Sequence, residues 1–151
     1  MKGVGIMLGD IFNPSCIKMK LDGITKADVF GELVGTIARD NSKFNYRKML
    51  EAVIQRENKM NTVILPGVAV PHGYCSIVKG ITGAIGFSRE GIEYGSNGPV
   101  HLFFLLLMDE KSREQHLQVF ARLLEMLNSV GFAEIRDKGS PRELYELICC
   151  F

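Results

Sequence analysis

Hydrophobic positions along the chain recur with two periods, near 3.6 and near 2 residues, and they switch between them several times. Residues 17–21 (IKMKL) alternate apolar and basic side chains and predict a half-buried strand. Val29, Phe30, Leu33, Val34, Ile37 and Ala38 share one helical face, opened by a cap at Thr25 with Asp28 three positions on. Tyr46, Met49, Leu50, Val53 and Ile54 mark a second inward face, which ends near Arg56-Glu57-Asn58. Residues 81–87 and 100–108 read as strands. The second is apolar on both faces from Leu102 onward, the pattern of a central strand covered on both sides. Between them residues 89–98 hold three glycines and predict a turn. Ser112-Arg113-Glu114-Gln115 predicts a capping box for a third helix, with Leu117, Phe120, Ala121, Leu124 and Leu127 facing inward. Ser140-Pro141-Arg142-Glu143 predicts another, with proline at the first helical position, for a last helix through Leu144, Leu147 and Ile148. Strands and helices around a doubly covered central strand predict an α/β fold, a three-layer α/β/α sandwich with a mixed central sheet. No repeat or linker breaks the pattern, so residues 1–151 are expected to form one domain.

Composition narrows the chemistry. Hydrophobic residues make up 46% and charged residues 23%, with a formal net charge of +1 and no basic block, which argues against a nucleic-acid partner. No apolar run approaches the roughly 18 residues that a membrane span needs. The first ten residues (MKGVGIMLGD) hold too short an apolar stretch, broken by glycine, for a signal peptide. Cys16, Cys75, Cys149 and Cys150 form no C-x-x-C pair, so free thiols in a reducing cytoplasm are expected rather than a disulfide framework or a metal site. Nucleotide-cradling glycine motifs and G-x-S-x-G are absent, no signature surrounds Cys75, and no cofactor is expected.

The candidate chemistry centres on Pro71-His72-Gly73, after the apolar run Val68-Ala69-Val70. Proline restricts the backbone before the histidine and glycine lets it approach a ligand after it, so His72 is expected on a stiff turn. Imidazole changes charge near neutral pH and can act as a nucleophile. Local sequence leaves open whether His72 is functional or an ordinary histidine. Three further positions could converge on it. Arg56, 16 residues earlier, falls at a predicted helix end. His116 falls at the start of the third helix, where a neutral ring is favoured over a cation. Thr62 could offer a hydroxyl. Two histidines, an arginine and a hydroxyl, with backbone N–H groups around Gly73, are parts that could hold a phosphoryl group. His101, after Pro99 at a strand start, reads as an edge or surface residue.

The segment Arg56-Glu57…Asn61-Thr62…Gly67-Val68-Ala69-Val70-Pro71-His72-Gly73 resembles the active-site segment of bacterial phosphotransferase-system enzyme IIA domains of the fructose/mannitol class, nitrogen-regulatory paralogues included. Gly91-Ile92-Glu93-Tyr94, Gly98-Pro99-Val100-His101-Leu102 and His116-Leu117 match further parts of that pattern, and the resemblance runs from residues 8–17 to the last helix. One stretch departs from it. Val63-Ile64-Leu65-Pro66 replaces a glycine-rich run, and Asn61 stands where serine is common, which implies a stiffer, more apolar loop beside the histidine.

The resemblance implies a phosphotransferase component with a phosphohistidine intermediate. His72 would take a phosphoryl group from an HPr-type phosphocarrier protein. His116 would support the modified ring, Arg56 would pair with phosphoryl oxygens, and Thr62 and Gly73 would line the site. Two outputs are implied: transfer to a IIB domain in sugar uptake, or a regulatory contact with a target protein controlled by phosphorylation state, without sugar transport. A phosphoryl group adds about 1.5 to 2 negative charges, enough to switch a partner surface.

Overall fold

Residues 99–108 organise the architecture. In the computed structural model, which describes residues 5–40 and 43–151, this segment is strand β6 (Pro99–Met108), and both its faces are buried. The first four residues of the N-terminal stretch read above lie outside the described residues. The other strands are β1 (Phe12–Lys18), β2 (Val63–Leu65), β3 (Val68–Ala69), β4 (His72–Tyr74) and β5 (Ile81–Glu93). The helices are α1 (Lys26–Asp40), α2 (Tyr46–Lys59), α3 (Arg113–Val130), α4 (Phe132–Arg136) and α5 (Pro141–Ile148). The sheet runs β1-β5-β6-β3-β2, with β4 also paired to β6. It is mixed: β5 and β2 pair antiparallel to their neighbours β6 and β3, while β1 on β5, and β3 and β4 on β6, are parallel.

Alternation along β6 builds two cores. Phe103, Leu105 and Leu107 join Val29, Phe30, Leu33, Val34 and Ile37 of α1 and Met49 and Val53 of α2. Leu102, Phe104, Leu106 and Met108 join Val119, Leu123, Met126 and Leu127 of α3 and Leu144 and Ile148 of α5. The fold is therefore the three-layer α/β/α arrangement expected, with helices on both faces of a mixed sheet.

β3 and β4 act as one interrupted strand along a single edge of β6. Val68 pairs with Leu102 and His72 with Leu106, and the break falls at Val70-Pro71, where proline has no N–H to give a ladder. The segment 63–66 expected as a loop is mostly strand β2, folded back on β3. Pro66-Gly67 makes the turn, with Gly67 at φ 83°, a conformation glycine adopts without penalty.

Several expected boundaries move. The first strand lies at 12–18 rather than 17–21. It is an edge strand, which tolerates Pro14 and polar residues that blur its alternation. β5 does not stop at Phe87. It passes through an irregularity between Phe87 and Ile92, with Gly91 at φ 89°, and resumes pairing to Glu93, so the turn shrinks to residues 94–98. The cap at Thr25 forms reciprocally: Asp28 N–H donates to Thr25 Oγ1 at 3.1 Å, and Thr25 N–H donates to Asp28 Oδ2 at 3.2 Å. Ser140 caps α5 through the Glu143 N–H at 3.2 Å. Ser112 does not cap α3. Its hydroxyl donates to Asp109 Oδ1 at 2.6 Å, and a short 3-10 turn (Glu110–Ser112) feeds straight into the helix. The inward face of α3 is also shifted. Val119, Leu123, Met126 and Leu127 are buried, whereas Leu117 is 71% exposed and Ala121 is exposed. Tyr46, at the first position of α2, is 43% exposed. His101 sits on the central strand, half-buried against Phe87 and Phe132, with Nδ1 2.9 Å from the Ser88 carbonyl, rather than at an edge.

Candidate functional site

His72 opens strand β4 rather than sitting on a turn, and it is only 5% exposed. Its Nδ1 lies 2.9 Å from the carbonyl oxygen of Val70. A carbonyl only accepts, so Nδ1 carries the proton and the lone pair of the neutral ring is on Nε2. Burial is the main cause that pushes the His72 pKa down to about 4. The Val70 carbonyl opposes that shift, and His116 when protonated, followed by the Arg56 charge, adds to it. At neutral pH His72 is thus an uncharged base with a fixed tautomer.

Gly73 is required by packing. A Cβ there would fall 2.7 Å from the Ala52 carbonyl carbon and 2.8 Å from the Val53 nitrogen. The missing side chain lets the backbone of α2 lie against β4, and α2 carries Arg56. The approach expected at this glycine is that of a ligand; the one the structure shows is that of the protein's own helix α2.

His116 reaches the same place from the first turn of α3. The two imidazole centroids are 4.9 Å apart with planes at 52°. Phe120, one turn further along α3, meets the edge of His72 at 5.5 Å and packs on His116 at 4.6 Å, so one apolar ring wedges both. The Tyr74 hydroxyl is 3.0 Å from His116 Nδ1. Burial first, then the charges of Arg56 and Arg113, hold the His116 pKa below its ordinary value. Arg113 lies over the Tyr74 ring at 5.0 Å and pairs with Glu110 at 3.0 Å.

Arg56 occupies the last turn of α2, where one guanidinium nitrogen donates to the Met60 carbonyl at 2.7 Å. That contact satisfies a carbonyl at the helix end and holds the arginine where its charge acts on both histidines. Thr62 is close in the chain fold, since its carbonyl accepts from Val70 N–H at 2.9 Å. Its hydroxyl proton, however, goes to Glu57 Oε1 at 3.0 Å, inside the protein. Tyr94 is buried beside that pair, and burial followed by the Glu57 charge raises its pKa.

The structure therefore brings His72, His116 and the charge of Arg56 together and directs the Thr62 hydroxyl elsewhere. Sequence reasoning missed Tyr74, Phe120 and Arg113. The signals were present in part: Tyr74 is two residues after His72 on the same strand face, and Arg113 and Phe120 lie one turn either side of His116. A neutral, buried ring nitrogen in a cationic setting suits nucleophilic attack on an anionic group. Among the described residues, no group of three or more His, Cys, Asp or Glu is placed to hold a metal ion, and no helix is long and apolar enough to cross a membrane.

Residues 10–149 match the family model described as phosphoenolpyruvate-dependent sugar phosphotransferase system, EIIA 2. The chain is 31% identical over 121 residues to the fructose-specific EIIABC component of Bacillus subtilis. The match covers 78% of this chain and 19% of that longer protein, so the chain spans about a fifth of that relative. It superposes on the crystal structure of nitrogen regulatory protein IIA-Ntr from Neisseria meningitidis with a TM-score of 0.80 and 28% identity, over 93% of this chain and 98% of that one. It shares its fold with the mannitol IIA of Escherichia coli, solved in complex with phosphorylated IIB. There the TM-score is 0.76 at 19% identity, over 93% of this chain and all of that one.

Proposed function

This chain belongs to the EIIA 2 family of the phosphoenolpyruvate-dependent sugar phosphotransferase system, and on that premise we propose that it is a cytoplasmic phosphoryl carrier, residues 1–151 acting as one EIIA domain, with His72 as the phosphorylated residue. The carrying observation is the Val70 carbonyl on Nδ1, which leaves Nε2 of a buried, neutral ring free beside His116 and Arg56. Nε2 attacks phosphorus on an HPr-type phosphocarrier. The Nε2–P bond forms as the donor's P–N bond breaks, and the electron pair leaves on the donor nitrogen. The proton stays on Nδ1 throughout, donated to the Val70 carbonyl oxygen. Arg56 and His116 meet the phosphoryl oxygens, and positioning with charge stabilisation supplies the catalysis. Gly73 contributes by keeping α2, and with it Arg56, against the strand. The phosphoryl group then passes to a IIB domain.

A second output is supported by the likeness, over nearly the whole of both chains, to a protein named nitrogen regulatory. In that reading the phosphorylation state of His72 governs contact with a target protein, without sugar transport.

Incubation with a phosphorylated HPr-type donor tests the reading. One acid-labile phosphoryl group per chain is expected, none in His72→Ala, and slow labelling in folded Arg56→Ala and His116→Ala. Label that survives in His72→Ala rules the assignment out. Chase with IIB separates the two outputs, since only the transport reading requires its labelling.

A further inference from the structure

We infer that Tyr74 is a positioning residue that sets the tautomer of His116 and thereby makes the second ring a hydrogen-bond donor toward the group held by His72. The inference rests on the phosphoryl-carrier reading above for the identity of that group, and on geometry for the contact itself.

Tyr74 and His72 are two residues apart on β4, and their side chains lie on the same side of the sheet. The strand that carries the nucleophile thus also carries the group that touches its neighbour. The Tyr74 oxygen is 3.0 Å from His116 Nδ1, and these two side chains are 42 residues apart in sequence. His116 is half-buried and its ring is kept neutral by burial and two arginines, so it has one N–H and one lone pair. Two arrangements are open to such a pair. In one, the tyrosine O–H donates to Nδ1, and Nε2 carries the ring proton. In the other, Nδ1–H donates to the tyrosine oxygen, and Nε2 is a bare lone pair.

One observation and one chemical argument select the first. The Arg113 guanidinium lies 5.0 Å over the Tyr74 ring, and a cation on the ring face draws electron density from the phenol oxygen, which makes it the better donor. A phosphoryl group offers only acceptors, so a bare Nε2 would repel it whereas Nε2–H would bind it. The two histidines then hold opposite tautomers. His72 has its proton on Nδ1, placed by the Val70 carbonyl, and its lone pair on Nε2. His116 has its lone pair on Nδ1, placed by Tyr74, and its proton on Nε2. One ring is set to attack and the other to hold the oxygens of what is attacked. Phe120, packed on both rings, fixes their mutual tilt.

The test is Tyr74→Phe, which keeps the ring and removes only the hydroxyl. Imidazole 15N spectra of the free wild type near pH 7.5 are expected to show His116 with protonated Nε2 and unprotonated Nδ1, and His72 with the reverse. In Tyr74→Phe, His116 is expected to become a mixture of tautomers while His72 is unchanged. Phosphoryl acceptance from the HPr-type donor is expected to fall about three- to tenfold, the equivalent of one hydrogen bond. A protonated Nδ1 on wild-type His116, or identical tautomer populations in the two proteins, overturns the inference, and the wild-type spectrum alone decides the first point should the variant not fold. A wild type that shows the tautomer pair but accepts no phosphoryl group sinks the carrier reading and leaves the Tyr74–His116 device standing.

Discussion

His72 and His116 stand with their rings 4.9 Å apart although 44 residues separate them, one on the strand that edges β6 and the other on the helix that follows β6. Their distance is therefore set by the central strand, whose C-terminal end carries Leu106 beside His72 and leads through a short 3-10 turn into α3. Changes in the layer packing are expected to reach the site through this arrangement.

Burial of His72 makes stability depend on pH. The unfolded ring titrates near 6.5 and the folded ring near 4, so between those values the unfolded chain binds more protons. Stability is thus fully present above pH 6.5, falls as pH drops toward 4, and levels off below. The shift corresponds to a loss on the order of 3 kcal/mol. Urea unfolding of wild type and His72→Gln across pH 4 to 7.5 should show the wild type losing stability more steeply on acidification. Parallel curves would remove the burial argument.

Gly73→Ala should destabilise by about 1–3 kcal/mol, because the new Cβ meets the backbone of Ala52 and Val53 and not a flexible side chain that can turn away. The strain separates α2 from β4 and takes Arg56 with it, so phosphoryl acceptance should fall as well. Denaturant midpoints and labelling rates measure the two effects. An unchanged midpoint would show that the helix does not lie this close.

Thr62→Val tests where the hydroxyl works. It donates to the buried carboxylate of Glu57, and its removal should cost about 1–3 kcal/mol by leaving that group short of a donor. The expected signature is a lowered unfolding midpoint. Lost phosphoryl acceptance with an unchanged midpoint would instead put the hydroxyl in the site.

The phase of α3 has a simple test in two truncations. Leu123 is fully buried and Leu117 is 71% exposed. Leu123→Ala should cost about 2–5 kcal/mol, while Leu117→Ala should change stability by less than about 0.5 kcal/mol. Equal costs would mean that the helix is rotated from the position described.

The seven apolar residues from Leu102 to Met108 made the central strand legible, because the run is of strand length and a strand covered on both faces buries every side chain. The inward faces of α1 and most of α2 were legible for a similar reason: each has a single apolar stripe. α3 carries two overlapping stripes, 117/120/121/124/127 and 119/123/126/127, which share the buried Leu127, and periodicity cannot rank them. The sheet's position selected the second. β1 was misplaced because an edge strand tolerates Pro14 and polar residues that a central one excludes.

Residue types and their order along the chain determined the layered fold class and, with the family pattern, the candidates His72, His116 and Arg56. Tertiary structure alone decided which hydroxyl stands near the second histidine, Tyr74 rather than Thr62, and which nitrogen of His72 is left free. Those are questions of hydrogen-bond partner across tens of residues, and a local sequence pattern carries no record of a contact that only the closing of the layers creates.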